Sequence, residues 1–385
     1  VLRRFRRLVH GRLQVRDGGT VHEFGDPLDP VAVTLDVKSP RFYRALVSGG
    51  HMGAAESYLD GWWITNDLTA LVRLFLRNRH IADGFERGIA GLARPLRKLW
   101  HALRRNTRRG SRRNIHAHYD LGNEFFAEFL DETLTYSCGI FERPDATLRE
   151  ASEAKYDRIC RKLGLHADDH VLEIGTGWGG FALHAAGRYG CRVTTTTISA
   201  EQHALATRRI AEAGLADRVT VLAQDYRDLS GTFDKLVSIE MIEAVGHHYY
   251  NDFFAKCASL LKRGGAMALQ AITIADARYE RARREVDFIK RYVFPGSCIP
   301  SVSALSRAWT RVTDFRLADV EDITAHYVIT LRQWRENFVA HWDRIRDQGF
   351  RDEFRRLWEF YFCYCEGGFA ERALGDVQLV LVRPR

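Results

Sequence analysis

Residues 171–180 read Val-Leu-Glu-Ile-Gly-Thr-Gly-Trp-Gly-Gly, and no other stretch of the chain limits its fold as sharply. An apolar run of strand character carries Glu173, then breaks into a turn with glycine at 175, 177, 179 and 180. A helix-like stretch from Phe181 to Tyr189 follows, with Gly190 where a C-terminal cap belongs. Glycines let backbone pass close to a ligand, and a helix start presents free N–H groups. The pattern points to a turn that binds a nucleotide or nucleoside; a tight strand-to-helix turn without a ligand is the plainer reading.

Gly175, Gly177 and Gly180 satisfy G-x-G-x-x-G, a weak signal by itself. A dinucleotide site also needs an acid about 20 residues further on to hold the ribose. Here the next strand-like run ends Thr194-Thr195-Thr196-Thr197-Ile198-Ser199, and the first acid, Glu201, falls in the helix after it. This disfavours NAD. Glu-x-Gly-x-Gly-x-Gly is the usual form in S-adenosylmethionine (SAM) methyltransferases, so SAM is the expected cofactor.

Strand-like and helix-like segments alternate around this turn. Strands are expected at 171–174, 192–198, 219–223, 235–239 and 266–274, with a last one at 377–382 and a helix at 150–163 leading in. Ser199 with Gln202 three residues on gives a capping-box pattern for the helix from Ala200, and Gly214 would close it. Such alternation predicts an α/β fold with a parallel sheet covered on both faces; joined to the SAM-type glycine turn, it gives the expectation of a Rossmann-like class I SAM methyltransferase domain. Ahead of it, residues 1 to about 80 read as a smaller α+β unit. That unit has strand pieces at 13–15 and 31–35, a Gly-Gly-His-Met-Gly loop at 49–53 and a helix over 68–79. Residues 331–366 are strongly helical, with Trp334, Phe338 and Trp342 at i, i+4, i+8. Core packing is the favoured reading of these and of Trp358, Phe360, Tyr361, Phe362 and Tyr364; the lining of an apolar cleft is the alternative.

The net charge of +8 is unevenly spread. Arg3, Arg4, Arg6 and Arg7 form one basic group, and residues 94–113 form another without a single acid. In the second, Leu96, Leu99, Trp100 and Leu103 fall at helical spacing, the pattern of a basic amphipathic surface helix. Anionic lipid and nucleic acid both suit such a segment, as does a solvated linker. The seven cysteines are odd in number and lack C-x-x-C, which argues against a disulfide framework and a zinc site and fits a reducing cytosol. His116 and His118 lack a third ligand, so no metal is expected. No apolar run approaches the roughly 20 residues of a spanning helix, and the arginine-rich start is not followed by the apolar core of a signal peptide.

Several motifs together resemble those of the cyclopropane-fatty-acyl-phospholipid synthases and their mycolic-acid-modifying relatives. They are His118-Tyr119-Asp120-Leu121-Gly122-Asn123, Thr135-Tyr136-Ser137-Cys138-Gly139-Ile140-Phe141, the glycine turn, and Thr197-Ile198-Ser199-Ala200-Glu201-Gln202. Further on come Gln224-Asp225-Tyr226-Arg227-Asp228, residues 238–246 (Ser-Ile-Glu-Met-Ile-Glu-Ala-Val-Gly), Tyr292-Val293-Phe294-Pro295-Gly296 and Ile299-Pro300-Ser301. The Gly53-to-Trp63 pattern looks like the N-terminal lipid-associated domain of the longer bacterial members. The resemblance implies three segments: a lipid-associated domain over 1–93, the basic linker 94–113 and a SAM-dependent methyltransferase domain over 114–385.

It also implies methyl transfer from SAM to a cis double bond of a phospholipid acyl chain, then proton loss and ring closure to a cyclopropane. Matching positions for SAM are Tyr136, Ser137, Gly175, Gly177, Thr197, Gln202, Asp225 and Tyr226. Family members hold a bicarbonate ion, taken to be the base; its ligands here would be Cys138 (through backbone), Glu243, Gln270, Ile272 (backbone) and Tyr327. Glu240 lies nearby, but the register of the motif favours Glu243. Tyr119, Tyr136, Phe141, Trp178 and Tyr327 are candidates for stabilising positive charge. Implied partners are an anionic membrane surface, met from the cytoplasmic side, and unsaturated phospholipids, not nucleic acid; a homodimer is compatible with the family.

The chain departs from the best-known members at Gln270, where they carry His, and at Ala244, where they have Phe-Glu-His in place of Ile242-Glu243-Ala244. Gln donates a hydrogen bond but does not titrate near neutrality. Methylation without ring closure is therefore kept as the first rival. A small-molecule N-methyltransferase and a non-catalytic lipid- or nucleic-acid-binding protein are the others.

Overall fold

The computed structural model describes residues 1–86 and 121–385. These fall into two compact units. One takes residues 1–86 with Arg284–Val293 and Leu331–Ala373; the other takes 121–283 with Phe294–Thr330 and Leu374–Arg385. The boundary expected at 93 and the basic linker 94–113 lie outside the described residues. The aromatic helical stretch expected within a continuous domain from 114 onward clusters instead with the N-terminal residues.

In the first unit, strands β1 (Arg12–Asp17), β2 (Thr20–Gly25), β3 (Ala32–Val37) and β4 (Trp63–Thr65) form a sheet in the order β2-β1-β3-β4. Gly18 and Gly19 both take positive φ (52° and 84°), as a two-residue hairpin turn requires. Residues 49–53 are not a loop. They lie in a helix, Arg41–Leu59, kinked where Gly50 leaves helical geometry at φ 60°, ψ −138°. The helix Asp352–Ala370 packs on Leu68–Arg77, with Thr69 Oγ1 donating to the buried Glu366 at 3.0 Å. Trp334, Phe338, Trp358 and Phe362 are buried together, so the aromatic stretch is core.

In the second unit, seven strands follow: β5 (His170–Ile174), β6 (Arg192–Thr196), β7 (Val219–Leu222), β8 (Phe233–Ile239), β9 (Leu261–Ile274), β10 (Arg316–Asp322) and β11 (Leu374–Val382). Their order is β10-β11-β9-β8-β5-β6-β7. The links among β5 to β9 are parallel, and β11 and β10 add antiparallel pairs. Alternate strand residues feed different cores. Val171, Val193 and Val237 pack with Ile159, Cys160 and Phe181, whereas Leu172 and Leu236 pack with Phe253, Phe254 and Trp309. This is the expected α/β architecture. The order reverses at β5, flanked by β6 and β8, and at such a switch point a ligand crevice is expected outside the carboxyl ends of the strands.

Candidate active site

The glycine turn leaves β5 into this crevice. Gly175, Gly177 and Gly179 have φ of 105°, 52° and 89°, conformations that L side chains resist. The amides of Gly175 and Thr176 donate to the Thr196 carbonyl, which folds the turn back against β6. A Cβ added at Gly177 would meet no atom within 4 Å, so the turn opens outward just before the helix Gly180–Tyr189, which Gly190 caps. At the end of β6, Thr197 Oγ1 donates to Gln202 Oε1 at 2.9 Å, and Ser199 Oγ accepts from the Gln202 amide. Only half of the capping box forms, because the Gln202 side chain turns to Thr197. Glu201 is exposed on the helix, so no acid closes the end of β6.

Asp225 follows β7 and is buried, its carboxylate gripped by Arg227 through Nε at 2.8 Å and Nη2 at 2.6 Å. Tyr226 packs edge-on against Phe253. Tyr136 stands among Phe126, Phe129 and Phe294, with Trp178 against Phe126. Phe141 stacks on His326, and Tyr119 lies outside the described residues, as do His116 and His118. The open glycine turn, the polar ends of β6 and β7 and this aromatic wall fit a nucleoside with a charged amino-acid tail, as SAM has.

Beside the crevice, the positions expected around bicarbonate converge on a protein carboxylate instead. Glu240 Oε1 accepts from the Cys138 amide at 2.8 Å and from Gln270 Nε2 at 2.8 Å, and its Oε2 accepts from the Tyr327 hydroxyl at 2.6 Å. The Ile272 amide donates at 2.6 Å to Glu243 Oε1. All of the expected donors are thus engaged by Glu240 and Glu243; they do not fit a free bicarbonate, and no step is derived through that ion.

Sheet register explains the convergence. Gln270 on β9 stands opposite Ile239 on β8 and Gln378 on β11, and the Glu240 amide donates to the Gln270 carbonyl at 2.9 Å. Gln378 Nε2 donates to Gln270 Oε1 at 3.0 Å and so turns the Gln270 amide N–H toward Glu240. Glu240 itself sits at φ 46°. A left-handed residue with a Cβ costs about 1–2 kcal/mol, and such strain collects at functional sites.

Two neighbouring carboxyls are shifted upward. Burial, reinforced by the Glu240 charge, pushes the Glu243 carboxyl up to about 8, and its Oε2 is buried without a partner. Asp376, fully buried on β11, is raised well above the carboxylate range by burial and then by Glu240. The Lys155 ammonium is fully buried, donates to Ser137 Oγ at 2.6 Å, and is pulled down by desolvation to about 8. Burial also raises the Cys138 thiol, whose Sγ faces the Gly139 carbonyl, so its backbone serves the site and its sulfur is no nucleophile. Of these groups, the sequence reading set Glu240 aside and passed over Lys155, Asp376 and Gln378. The tandem acids of Glu240-Met-Ile-Glu243 were the one visible signal.

Glu173 supplies a check on the turn. It is buried, accepts from Thr195 Oγ1 at 2.6 Å, and desolvation raises it to about 8. A raised carboxyl contributes stability that is complete below its unfolded value near 4.5 and is lost as pH climbs to about 8. Glu173→Gln, which keeps the acceptor and cannot ionise, is expected to flatten that decline by on the order of 1–3 kcal/mol between pH 5 and pH 8. Denaturant titrations at the two pH values measure it.

A doubly wound sheet with this glycine turn at its switch point defines a class I SAM-dependent methyltransferase. Residues 106–379 match the family model of mycolic acid cyclopropane synthetase, and the chain belongs to that family. It is 37% identical over 367 residues to tuberculostearic acid methyltransferase UfaA1 of Mycobacterium tuberculosis (92% of this chain, 84% of the relative). It is 36% identical over 348 residues to the cyclopropane-fatty-acyl-phospholipid synthase of Escherichia coli K12 (90% and 86%). Among solved structures, the mycolic acid cyclopropane synthase CmaA1 complexed with SAH and CTAB superposes with a TM-score of 0.66 at 30% identity, covering 70% of this chain and 97% of that one. The chain is a SAM-dependent methyltransferase of the cyclopropane-synthase type. No helix among the described residues is long and apolar enough to cross a membrane.

Proposed function

We propose that this enzyme transfers the SAM methyl group to the cis double bond of unsaturated phospholipid acyl chains at an anionic membrane surface, and that proton loss then closes a cyclopropane. The observation that carries the reading is the seat of Glu240, a half-buried carboxylate fixed by three donors at the end of β8. The names of the Escherichia coli and Mycobacterium tuberculosis relatives support a fatty-acyl substrate.

Bound SAM supplies an electrophilic methyl on a sulfonium. Gly175, Gly177, Thr197, Gln202, Asp225, Tyr226, Tyr136 and Ser137 would hold it, and the aromatic wall of Phe126, Tyr136 and Trp178 would keep water from the alkene. An alkene is a weak nucleophile, so alignment counts for several kcal/mol of the barrier. Methyl attack leaves positive charge on the neighbouring acyl carbon, which the Tyr136 and Tyr327 rings would stabilise through their faces. A C–H bond of the transferred methyl then breaks, its electron pair closes the ring, and Glu240 takes the proton. A hydride shift before that step gives an exocyclic methylene instead, with the proton leaving the same carbon. The base therefore serves either product, and Gln270 in place of His is the reason to keep the methylene reading open. The N-terminal residues 1–93 and the basic linker would bring the enzyme to the inner face of the membrane.

The experiment is incubation of the full chain with SAM and vesicles of unsaturated phosphatidylglycerol and phosphatidylcholine, followed by mass spectrometry of the acyl chains. Cyclopropane esters are the expected product. Methylene chains alone would overturn ring closure, and turnover of a soluble amine but not of vesicles would overturn the lipid reading.

A further inference from the structure

We propose that Asp376 works as a carboxylic acid, donating its proton in a hydrogen bond to Glu240 and thereby holding the neighbouring carboxylate in its seat. The proposal rests on reading Glu240 as the group that receives the substrate proton, and it assigns Asp376 a positioning role.

The placement comes from the sheet. Asp376 stands opposite Ile272 in the β9–β11 register, two residues along from the Gln270–Gln378 pair that orients Glu240, and so on the same face. It is fully buried, and its carboxyl reaches that of Glu240 within hydrogen-bonding range. Gln270 Nε2 offers Asp376 Oδ2 only a long contact of 3.5 Å, its short bond of 2.8 Å going to Glu240. Asp376 Oδ1 takes no N–H or hydroxyl donor, and the Cys138 thiol is the other side-chain group within reach of the carboxyl. A carboxylate oxygen buried without a donor is costly, more so beside a second carboxylate. One proton on Asp376, given to Glu240, satisfies the orphan oxygen and removes the repulsion together.

Charge counting points the same way. The titratable groups facing the pair are Glu243 on the short helix Ile242–Val245, Cys138, Tyr327 on the helix Thr324–Ala340, and Lys155 on the helix Leu148–Leu163. Burial keeps the Cys138 thiol protonated, and the Tyr327 hydroxyl donates to Glu240. Glu240, Glu243 and Asp376 thus lie close together, and among the described residues the cation these contacts include is the Lys155 ammonium, which Asp131 also faces. Glu240, with three donors already directed at it, is the one arranged to carry negative charge. Burial raises Asp376 and Glu243 alike, in keeping with protonated partners on either side. The backbone around Asp376 is built to keep it there: its amide donates to Thr324 Oγ1 at 2.9 Å, and its carbonyl accepts from the Ile323 amide at 2.9 Å.

Asp376→Asn supplies a neutral donor of the same shape, and Asp376→Ala supplies none. In the full-length enzyme, Asp376→Asn is expected to keep kcat within about fivefold of the parent, and Asp376→Ala to lower kcat by about tenfold to a hundredfold with a smaller change in SAM affinity. Infrared spectroscopy at neutral pH should show the carbonyl band of a buried carboxylic acid that shifts in D2O, disappears in Asp376→Asn and persists in Glu243→Gln. This band needs no turnover and is read on the conservative variant even if Asp376→Ala fails to fold. An Asp376→Asn spectrum with no such band lost, or an Asp376→Asn enzyme as slow as Asp376→Ala, would overturn the proposal. Glu240→Gln separates the two ideas: full turnover in that variant removes Glu240 as the proton acceptor, while the Asp376 band still reports whether its proton is present.

Discussion

Replacing Glu240 by Gln lowers turnover by about 10²–10⁴-fold, the range over which a positioned general base acts, while SAM affinity measured by calorimetry stays within about threefold. The substitution keeps the volume and one acceptor oxygen. It removes a carboxylate on which three donors converge and turns an amide N–H toward either Gln270 Nε2 or the Tyr327 hydroxyl, both of which now donate to Glu240. Glu243→Gln is expected to do far less, a loss of about tenfold or under. Its Oε1 only accepts from the Ile272 amide, which Gln can still satisfy, and a carboxyl raised to about 8 is mostly protonated at neutral pH, so the amide replaces a neutral group with a neutral group. Release of the demethylated cofactor and formation of the acyl product are both followed. The opposite ranking, with Glu243→Gln inactive and Glu240→Gln active, would move the base to Glu243.

That contrast marks where the sequence stops being readable. The glycine turn and the strands around it are legible because their signals are local: φ above zero demands glycine, and apolar runs of strand length bounded by turns have few other uses. Strand β10 escapes the same reading because it is an edge strand, exposed along nearly its whole length, and shows no apolar alternation. The kink at Gly50 reads as a loop because glycines beside a histidine look like punctuation, and only the helical turns on either side show it to be a bend. The helix Asp352–Ala370 announces itself by its aromatic residues, but which unit it joins depends on its packing against Leu68–Arg77 nearly 300 positions away.

The carboxyl cluster is hidden for a related reason. Glu240 and Glu243 both follow β8, and their composition is the same whichever one faces the donors. The choice is made by a backbone turn at φ 46° and by the pairing of Ile239, Gln270 and Gln378 across β8, β9 and β11. Nothing local in the sequence singles out Asp376 after Gly375 or Lys155 in its helix. Both are buried, and burial is a property of the assembled sheet.

Neutralising Arg104, Arg105, Arg108 and Arg109 together is expected to weaken binding to anionic vesicles by up to about three decades. Each basic residue near a negatively charged bilayer is worth about 1 kcal/mol, and 1.4 kcal/mol is a factor of ten. The expectation rests on sequence alone, since residues 94–113 lie outside the described structure. Twenty positions without an acid concentrate positive charge beyond what solubility asks of a chain whose net charge is +8. Leu96, Leu99, Trp100 and Leu103 would add an apolar face to hold the segment at the interface once charge has brought it there. The two contributions separate by salt: the arginine part shrinks as the Debye length falls from about 30 Å at 0.01 M to about 10 Å at 0.1 M, and the apolar part does not. Vesicle sedimentation at both ionic strengths, with anionic and with neutral lipid, reads them apart. If the quartet variant binds anionic vesicles as the parent does at low salt, the basic run is a solvated linker and membrane recruitment must lie elsewhere. Activity then adds the functional half. A variant that still methylates detergent-dispersed lipid but no longer works on vesicles places the defect in reaching the substrate, with the chemistry around Glu240 intact.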